Sequence, residues 1–469
     1  MKINILQKSA SSAKELFRSA DFDNILKCVH CGLCLDNCPT YRELNDEKDS
    51  PRGRLYLMRG LWEGELELVP EVIDPLKRCL NCRSCETACP SAVPYGELIE
   101  KTRGIILENT KQSLKEKILR FFLLRGLFRS TNLLIAASWF LKMYVSSGLP
   151  KLITNSSFSK LLPKSIVFQH YLLPKFTGES FKQRYEDKIL SSLLKKKKHQ
   201  GLSQPQKCNL KVALFTGCIM DVSEPNIHES SLSLLRRVGC EVVIPVDQNC
   251  CGAIHVHSGD RESAREFAIK NIEIFEQHNF DAIITNAAGC GAQLKEYHNI
   301  FDGSCDKSIK DKWSDETSKK FENKVIDIME FLSNFSELLV DLSCKSDDDI
   351  ILYDAPCHLM HAQKVDVNPR KLLSSLPGVK LIELKESSWC CGSAGIYNLI
   401  QPKLSDLILA RKIESIRDSL VENPRATTIL TANPGCFYQI QAGMRRIDID
   451  LRVMHPVEFL AERLSINQS

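Results

Sequence analysis

The sequence predicts a multidomain protein with an α-helical N-terminal domain, a helical middle segment, and a C-terminal half of two duplicated α/β domains with parallel sheets. Two observations support this class. Two nearly identical cysteine runs lie within the first 89 residues, and from Leu210 onward short β-branched segments alternate with helical stretches in a pattern that occurs twice. The 469 residues suffice for several domains. We place them at residues 1–105, 106–206, 207–345 and 346–469.

The first domain is defined by its cysteine runs, Cys28-x2-Cys31-x2-Cys34-x3-Cys38-Pro39 and Cys79-x2-Cys82-x2-Cys85-x3-Cys89-Pro90. This spacing is typical of ferredoxins that hold two [4Fe-4S] clusters. Three cysteines at this spacing can surround three corners of one cubane, and the proline directs the fourth thiolate toward the neighbouring cluster. We therefore expect crossed sets of metal ligands, which are Cys28, Cys31, Cys34 with Cys89, and Cys79, Cys82, Cys85 with Cys38.

A pair of zinc sites is the alternative interpretation of these runs, because C-x2-C also suits tetrahedral zinc. Zinc needs four ligands, and it has no use for the third cysteine, the fourth cysteine and the proline at fixed positions in both runs. The doubled pattern therefore favours two [4Fe-4S] clusters over zinc.

The segment between the runs, Ser50-Pro51-Arg52-Gly53-Arg54, predicts the start of a helix with proline in its first turn. An alternative function for Arg52 and Arg54 is to dock an anionic surface of a partner protein. Both interpretations remain open from the sequence alone.

Composition limits the protein's location and partners. The 20 cysteines are grouped in motifs, which indicates thiolates kept reduced in a cytoplasmic compartment. The N-terminus has no apolar core of signal-peptide length. The net charge of +4 is small for this length, so no nucleic-acid partner is expected.

Residues 106–206 contain no cysteine and alternate apolar stretches with basic residues. Their longest uncharged run, Ser130–Leu141, has 12 residues, fewer than the roughly 20 of a spanning helix. The segment is either packed on the rest of the molecule or forms a basic amphipathic surface, resting peripherally on the cytoplasmic membrane or on a partner subunit. Lys195–Lys198 begins a predicted linker.

The C-terminal half has six predicted strands separated by helical patterns, an alternation that favours parallel α/β units. The strands are residues 212–215, 242–244, 282–285, 350–353, 379–384 and 427–431. Cysteines follow these strands, and in open α/β sheets functional sites lie beyond the carboxyl ends of strands. The candidate cofactor-binding residues are Cys218, Cys250, Cys251, Cys290, Cys357, Cys390, Cys391 and Cys436.

These cysteines indicate an internal duplication, which we call the first copy (207–345) and the second copy (346–469). Each copy reads C…CCG…C, with 31 residues between Cys218 and Cys250 and 32 between Cys357 and Cys390. Gly252 and Gly392 follow the paired cysteines, as expected where backbone approaches a bulky cofactor. The remaining thiols, which are Cys208, Cys240, Cys305 and Cys344, are interpreted as ordinary buried or surface cysteines.

The tandem Cys-Cys-Gly repeats resemble the CCG cysteine-rich domains of heterodisulfide reductases, lactate-utilisation iron–sulfur proteins and the anaerobic glycerol-phosphate dehydrogenase small subunit. Together with the ferredoxin module and the stretches at 251–259, 354–359 and 389–399, the whole chain is most similar to the glycolate oxidase iron–sulfur subunits. The resemblance implies electron transfer from a separate flavin subunit that oxidises glycolate.

The end of each copy departs from the wider CCG pattern, which finishes with C-x-x-C. Ala287 and Asn433 stand at the upstream positions here, so each copy offers four sulfurs, still enough for one cubane. One or two further iron–sulfur clusters, or thiols without metal, remain the alternatives in this half. The nearby histidines, with His358 and His255 the better candidates, either support these cysteines or act as ligands or proton carriers; they are His255, His257, His358 and His361.

The main functional hypothesis is an electron-transfer subunit of a glycolate or other 2-hydroxy-acid dehydrogenase, passing electrons from the flavin subunit toward a quinone or another acceptor. No G-x-G-x-x-G follows a strand, so we expect no flavin site, no catalytic residues, and no binding or oxidation of glycolate by this chain alone. One alternative is a thiol–disulfide reductase of the heterodisulfide type acting at the CCG sites. Another is a CCG half that serves only as an interaction module.

Overall fold

The computed structural model describes residues 19–150, 162–174, 178–186, 208–301, 315–341 and 348–464, with the isolated positions 153, 176 and 313. The expected linker at Lys195–Lys198, the ordinary thiols Cys305 and Cys344, and the domain boundaries at 206/207 and 345/346 lie outside the described residues. The boundary at 105/106 falls inside a helix.

The N-terminal module is helical, as the sequence predicts. Its helices are α1 (Ser19–Leu26), α2 (Pro39–Leu44), α3 (Pro51–Glu63), α4 (Pro70–Arg78), α5 (Ser84–Thr87) and α6 (Tyr95–Asn109). The Ser50 hydroxyl caps α3 by accepting from the Gly53 N–H, so the predicted helix start is confirmed. Arg54 is only 1% exposed and pairs with Asp49. The docking interpretation is therefore wrong for Arg54.

The middle segment continues as α7 (Leu114–Arg120), a π-helical turn (Phe121–Gly126), a 3₁₀ turn (Leu127–Arg129), α8 (Thr131–Ser146) and α9 (Lys164–Tyr171). It is held against the first copy by ion pairs, since Arg125 lies near Asp260 and Glu262, and Arg129 lies 2.6 Å from Glu266. Within the described residues, no helix combines the length and apolar character needed to cross a membrane.

The first copy contains a parallel sheet with strand order β2-β1-β3-β4. Its strands are β1 (Lys211–Phe215), β2 (Glu241–Val243), β3 (Ala282–Thr285) and β4 (Val325–Asp327). Helices α10 (Ile219–Ser223), α11 (Pro225–Arg237), α12 (Ala253–His257), α13 (Arg261–Glu276), α14 (Ala288–Leu294), α15 (Asp315–Glu322), α16 (Ile328–Ser333) and α17 (Ser336–Asp341) connect or follow them.

The second copy repeats this topology, with parallel strand order β6-β5-β7-β8. Its strands are β5 (Asp349–Tyr353), β6 (Val379–Glu383), β7 (Thr428–Leu430) and β8 (Arg452–Met454). Its helices are α18 (Val367–Ser375), α19 (Tyr397–Ile400), α20 (Pro402–Glu422), α21 (Pro434–Arg446) and α22 (Pro456–Arg463), with a π-helical turn at His358–Ala362. The identical order supports the predicted duplication.

All six predicted strands are present, but one edge strand in each copy, β4 and β8, was not predicted. Both are short edge strands that form by parallel pairing with a single neighbour, β4 with β3 and β8 with β7, and this pairing is not visible in the local sequence. Each copy therefore has a four-stranded sheet rather than three strands.

The two copies share one hydrophobic core. A single cluster of buried side chains includes Val212 and Ile284 of the first sheet together with Ile351 and Leu430 of the second. Buried polar groups bridge the copies at the same place, since the His455 ring bonds to the backbone oxygen of Asn286 at 2.9 Å. The copies are therefore packed as a pair, with the carboxyl ends of their strands facing one another.

Candidate redox centres

The eight cysteines of the N-terminal module line two adjoining cavities. Cavity A is lined by Cys28, Cys31, Cys34, Cys85 and Cys89, and cavity B is lined by Cys38, Cys79, Cys82 and Cys85. The fourth cysteine of each run thus lies with the first three of the other run. No group of three or more His, Cys, Asp or Glu in the described residues is arranged around a single metal ion. The thiols instead surround cavities.

The sulfur atoms at cavity B receive several hydrogen-bond donors. The Arg54 guanidinium lies 3.9 Å from Cys38 Sγ, and the Tyr95 hydroxyl donates to Cys79 Sγ at 3.6 Å. The Asn81 N–H also donates to Cys79 Sγ, at 3.3 Å. Buried donors around cysteine sulfur are the surroundings that stabilise a negatively charged thiolate-bound cluster. The residues present therefore fit an iron–sulfur group.

The eight candidate cofactor-binding cysteines of the duplicated half meet in one cavity of about 240 Å³ between the copies, which we call the thiol cavity. Each copy delivers its sulfurs from the carboxyl ends of its strands: Cys218 follows β1, Cys250 and Cys251 follow β2, and Cys290 follows β3. The second copy does the same. The predicted placement at one sheet edge is present in both copies, but the sequence did not indicate that the two sets would face each other.

Burial and contacts between sulfurs shift the pKa values of these thiols. Cys218 and Cys250 sulfurs lie 3.4 Å apart, and the hydrogen bond to Cys250, together with burial, raises the pKa of Cys218. In the second copy, Cys391 and Cys436 sulfurs lie 3.3 Å apart. Hydrogen bonds from Cys357 and Cys391 lower the pKa of Cys390. Crowded thiols of this kind lose their protons to solvent most readily when a metal cation binds their sulfurs.

The glycines after the paired cysteines have a different role from the one expected. Gly252 has φ +86°, and a Cβ there would lie 3.3 Å from Ala264 on α13. Gly392 has φ +85°, and its Cβ would lie 2.7 Å from the backbone oxygen of Ser405 on α20. Both positions thus need glycine for a left-handed turn packed on a helix. Close approach of a cofactor is not the reason.

The two positions that depart from the C-x-x-C pattern are structural. Asn433 donates from its side-chain amide to Cys436 Sγ at 3.5 Å, and its Oδ1 accepts from the Gly289 N–H at 3.1 Å. It therefore supports a sulfur in its own copy and links to the other copy. Ala287 is buried in the shared core at the corresponding place. Neither residue supplies a fifth sulfur.

The four histidines separate into two groups. His257 and His358 line the thiol cavity, with ring centres 5.1 Å apart, and His257 Nδ1 bonds to Glu100 Oε1 at 2.9 Å. His255 bonds instead to the backbone oxygen of Leu124 at 2.9 Å, and His361 bonds to Thr87 at 2.8 Å. The preference for His255 is therefore wrong, and His257 takes its place beside the thiols.

Cavity B adjoins the thiol cavity. Leu80 lines both, and it packs in one apolar cluster with Cys390, against which Cys82 and Cys357 also lie. Burial, followed by the charge of Cys390, raises the pKa of Cys82, which shows that the two sulfurs are electrostatic neighbours. The cysteines of the second copy that lie beside cavity B are therefore Cys357 and Cys390.

A buried ion pair that was not predicted from the sequence distinguishes the second copy. Lys412 on α20 lies 2.8 Å from Asp354, and both side chains are almost fully buried. Ala264 packs against Gly252 in the first copy as Ser405 packs against Gly392 in the second, so these two positions are equivalent. Asn271 lies seven residues after Ala264, and Lys412 lies seven residues after Ser405. Asn271 therefore holds in the first copy the place that Lys412 holds in the second. Nothing in the spacing of the cysteine motifs could have indicated Lys412, because it lies on a helix between motifs.

Comparisons with known proteins agree with these cavities. The family model described as a 4Fe-4S dicluster domain matches residues 24–93, and the one described as a cysteine-rich domain matches residues 212–295 and 351–441. The chain is 36% identical over 453 residues to the probable glycolate oxidase iron-sulfur subunit of Bacillus subtilis, covering 94% of each.

Two further relatives also match the chain. The glycolate oxidase iron-sulfur subunit of Escherichia coli is 30% identical over 451 residues, covering 95% of this chain and 96% of the relative. Lactate utilization protein A of Geobacillus thermodenitrificans is 30% identical over 254 residues, which is 54% of this chain and all of the relative. By its matched domains and its near full-length similarity, the chain belongs to the family of glycolate oxidase iron–sulfur subunits.

Proposed function

We propose that this chain carries electrons within a glycolate dehydrogenase complex, from a separate flavin subunit to a quinone or another acceptor. The observation that supports this most is the arrangement of the cysteine-lined cavities, since cavity A adjoins cavity B and cavity B adjoins the thiol cavity. When bound, iron–sulfur clusters accept and release single electrons without a change in the protein's bonds. The substrate chemistry then belongs to the partner, and this chain alone does not oxidise glycolate.

Electrons enter at cavity A in this proposal. Cys31 is exposed, and the apolar side chains of Val29 and Leu33 beside it are 68% and 59% exposed. Apolar groups exposed around a redox centre suit docking to another subunit. Cavity B is covered by the second copy, so it is the place where electrons pass inward. The disulfide-reductase alternative is not favoured, because Ala287 and Asn433 replace the fifth cysteine of each copy.

The test is purification of the tagged chain from its native host without oxygen. We expect a flavoprotein in stoichiometric amount, and we expect glycolate to reduce the iron–sulfur centres of the complex, measured by electron paramagnetic resonance. The isolated chain should not respond to glycolate but should respond to dithionite. Reduction of the isolated chain by glycolate, or purification without any flavoprotein, would contradict the proposal.

The crossed ligand sets are tested by comparing serine variants. If Cys89 belongs to the cluster of cavity A, the Cys89→Ser protein should lose the same spectroscopic signal as Cys28→Ser, because each removes one of the four ligands. Cys38→Ser should match Cys79→Ser in the same way. If Cys89→Ser instead gave the spectrum of Cys79→Ser, each cluster would be held by a single run, and the crossed assignment would be wrong.

We also propose metal clusters in the thiol cavity, one in each copy. Cys251→Ser and Cys391→Ser should each lower the iron content by roughly four atoms per chain, since each removes one ligand of a separate cubane. The matched control is Cys240→Ser, because Cys240 is also buried and lies 3.2 Å from the sulfur of Cys208, away from the cavity. Iron content unchanged in both cavity variants would leave this half as a docking scaffold.

Finally, we propose that the middle segment rests on the surface of the cytoplasmic membrane. Phe121 and Phe122 are 64% and 66% exposed, and Trp139 and Phe140 are exposed on α8. Residues 111–150 carry seven Lys or Arg and one Glu, a surplus that favours anionic lipid.

Vesicle sedimentation tests this contact. The double variant Phe121→Ser/Phe122→Ser should bind vesicles containing anionic lipid about tenfold or more weakly, because two aromatic side chains that would insert into the lipid are lost. Leu407→Ser is the control, since Leu407 is exposed on α20 of the second copy. Equal binding by the double variant and the wild-type protein would contradict the proposal, as would binding that salt and carbonate cannot reverse.

A further inference from the structure

A fourth cavity lies where the N-terminal module, the first copy and the second copy meet. This junction cavity has a volume of about 100 Å³ and is walled by α6 of the N-terminal module, by His257 and Ser258 of the first copy, and by residues 394–401 of the second copy. Cys79 and Leu80, which also line cavity B, are among its lining residues. An occupant would therefore touch a cysteine that belongs to cavity B.

The lining combines apolar walls with hydrogen-bond donors. Ile106, Leu107, Ile396 and Ile400 supply apolar surface, and the polar lining includes Lys77, Arg103, Arg120, Gln112 and Gln401. Glu116 is the one carboxylate among the described lining residues, and it lies 3.7 Å from Lys77. An apolar ring with oxygen acceptors fits such a cavity, because cations stabilise the negative charge that those oxygens gain on reduction.

The junction cavity adjoins an outer groove of about 610 Å³ that leads to the exposed aromatic surface. Leu107, Gln112 and Arg120 line both spaces. Ile118, Phe121 and Phe122 also line the groove, and all three are exposed. A ligand with a long apolar tail could therefore keep its tail in the groove while its ring lies in the junction cavity.

We propose that the junction cavity is the binding site for a quinone, whose ring lies beside Cys79 and whose tail follows the outer groove. This assignment rests on the proposed function, which supplies two electrons from each glycolate oxidised. With iron–sulfur clusters bound by the cysteines, quinone would take up two electrons from the reduced chain and two protons from solvent, and it would leave as quinol. Electrons would then leave the chain beside cavity B rather than beyond the thiol cavity.

Photoaffinity labelling of the intact complex tests the location. After irradiation with an azidoquinone, we expect labelled peptides from 103–122 or 394–401, and an excess of unlabelled short-chain quinone should prevent labelling. Labelling confined to the strand-end loops of the thiol cavity (216–220, 390–393 or 433–438) would overturn the proposal. Labelling confined to another subunit would overturn it as well.

A kinetic test uses Leu107→Trp, which fills the passage between the junction cavity and the groove. We expect kcat/KM for a short-chain quinone to fall about tenfold or more, with glycolate still reducing the iron–sulfur centres in a single turnover. The matched control is Leu407→Trp, an exposed position on α20 that should leave quinone reduction unchanged.

The two proposals fail in different ways. Normal quinone kinetics in Leu107→Trp, with its spectra intact, would remove the quinone site and leave the electron-transfer function standing. If glycolate failed to reduce the centres of the wild-type complex, the proposed function itself would fall. A Leu107→Trp protein that loses its cluster spectra has misfolded, and labelling of the wild-type complex then decides the question.

Discussion

The arrangement of the whole molecule depends on how Arg103 joins the N-terminal module to the first copy. Its buried guanidinium donates to the backbone oxygens of Leu76 at 3.2 Å and of His257 at 3.0 Å, and also to the backbone oxygen of Cys79. The end of α4 leaves carbonyl groups that its own helix cannot satisfy, and burying them without partners would be costly. Arg103 satisfies them and links them to the neighbouring domain.

Close backbone packing accompanies this contact. A Cβ on Gly259, where φ is +83°, would lie 2.5 Å from the backbone oxygen of Arg103, so any other residue would push α6 away from the first copy. The second copy is held in turn by Tyr397, whose hydroxyl donates to the backbone oxygen of Arg78 at 2.8 Å. Through these contacts, cavity B sits against both copies, and the cysteine-lined cavities form one continuous series.

The sequence predicted the parts of this protein better than their assembly. Cysteine spacing, proline position and strand alternation are local, so the ferredoxin-type runs, the duplicated sheets and the placement of cysteines after strands could all be read from the chain. The short edge strands β4 and β8 were not predicted, because they form only by pairing with a neighbouring strand. The meeting of eight thiols in one cavity depends on how two copies pack, which no motif within either copy encodes.

The same limit applies to individual site residues. His255 and His257 are two positions apart on one short helix, yet one bonds to Leu124 and the other faces the thiols. Their roles are decided by which face of α12 meets the neighbouring elements. Asn433 likewise looks like a lost cysteine in the sequence, whereas its amide supports Cys436 and its oxygen binds the other copy. Only three-dimensional contacts distinguish a substitution that supports a site from one that removes a ligand.

The core shared by the two copies has a consequence for how the protein folds and is degraded. Because α11 and α22 pack together over a common apolar cluster, neither sheet could unfold without exposing part of the other. The duplicated half should therefore behave as one cooperative unit in hydrogen exchange and proteolysis, despite its two separate sheets. A chain that ends after the first copy would carry an uncovered apolar face, so a gene truncated there would yield an aggregation-prone product rather than half of a working carrier.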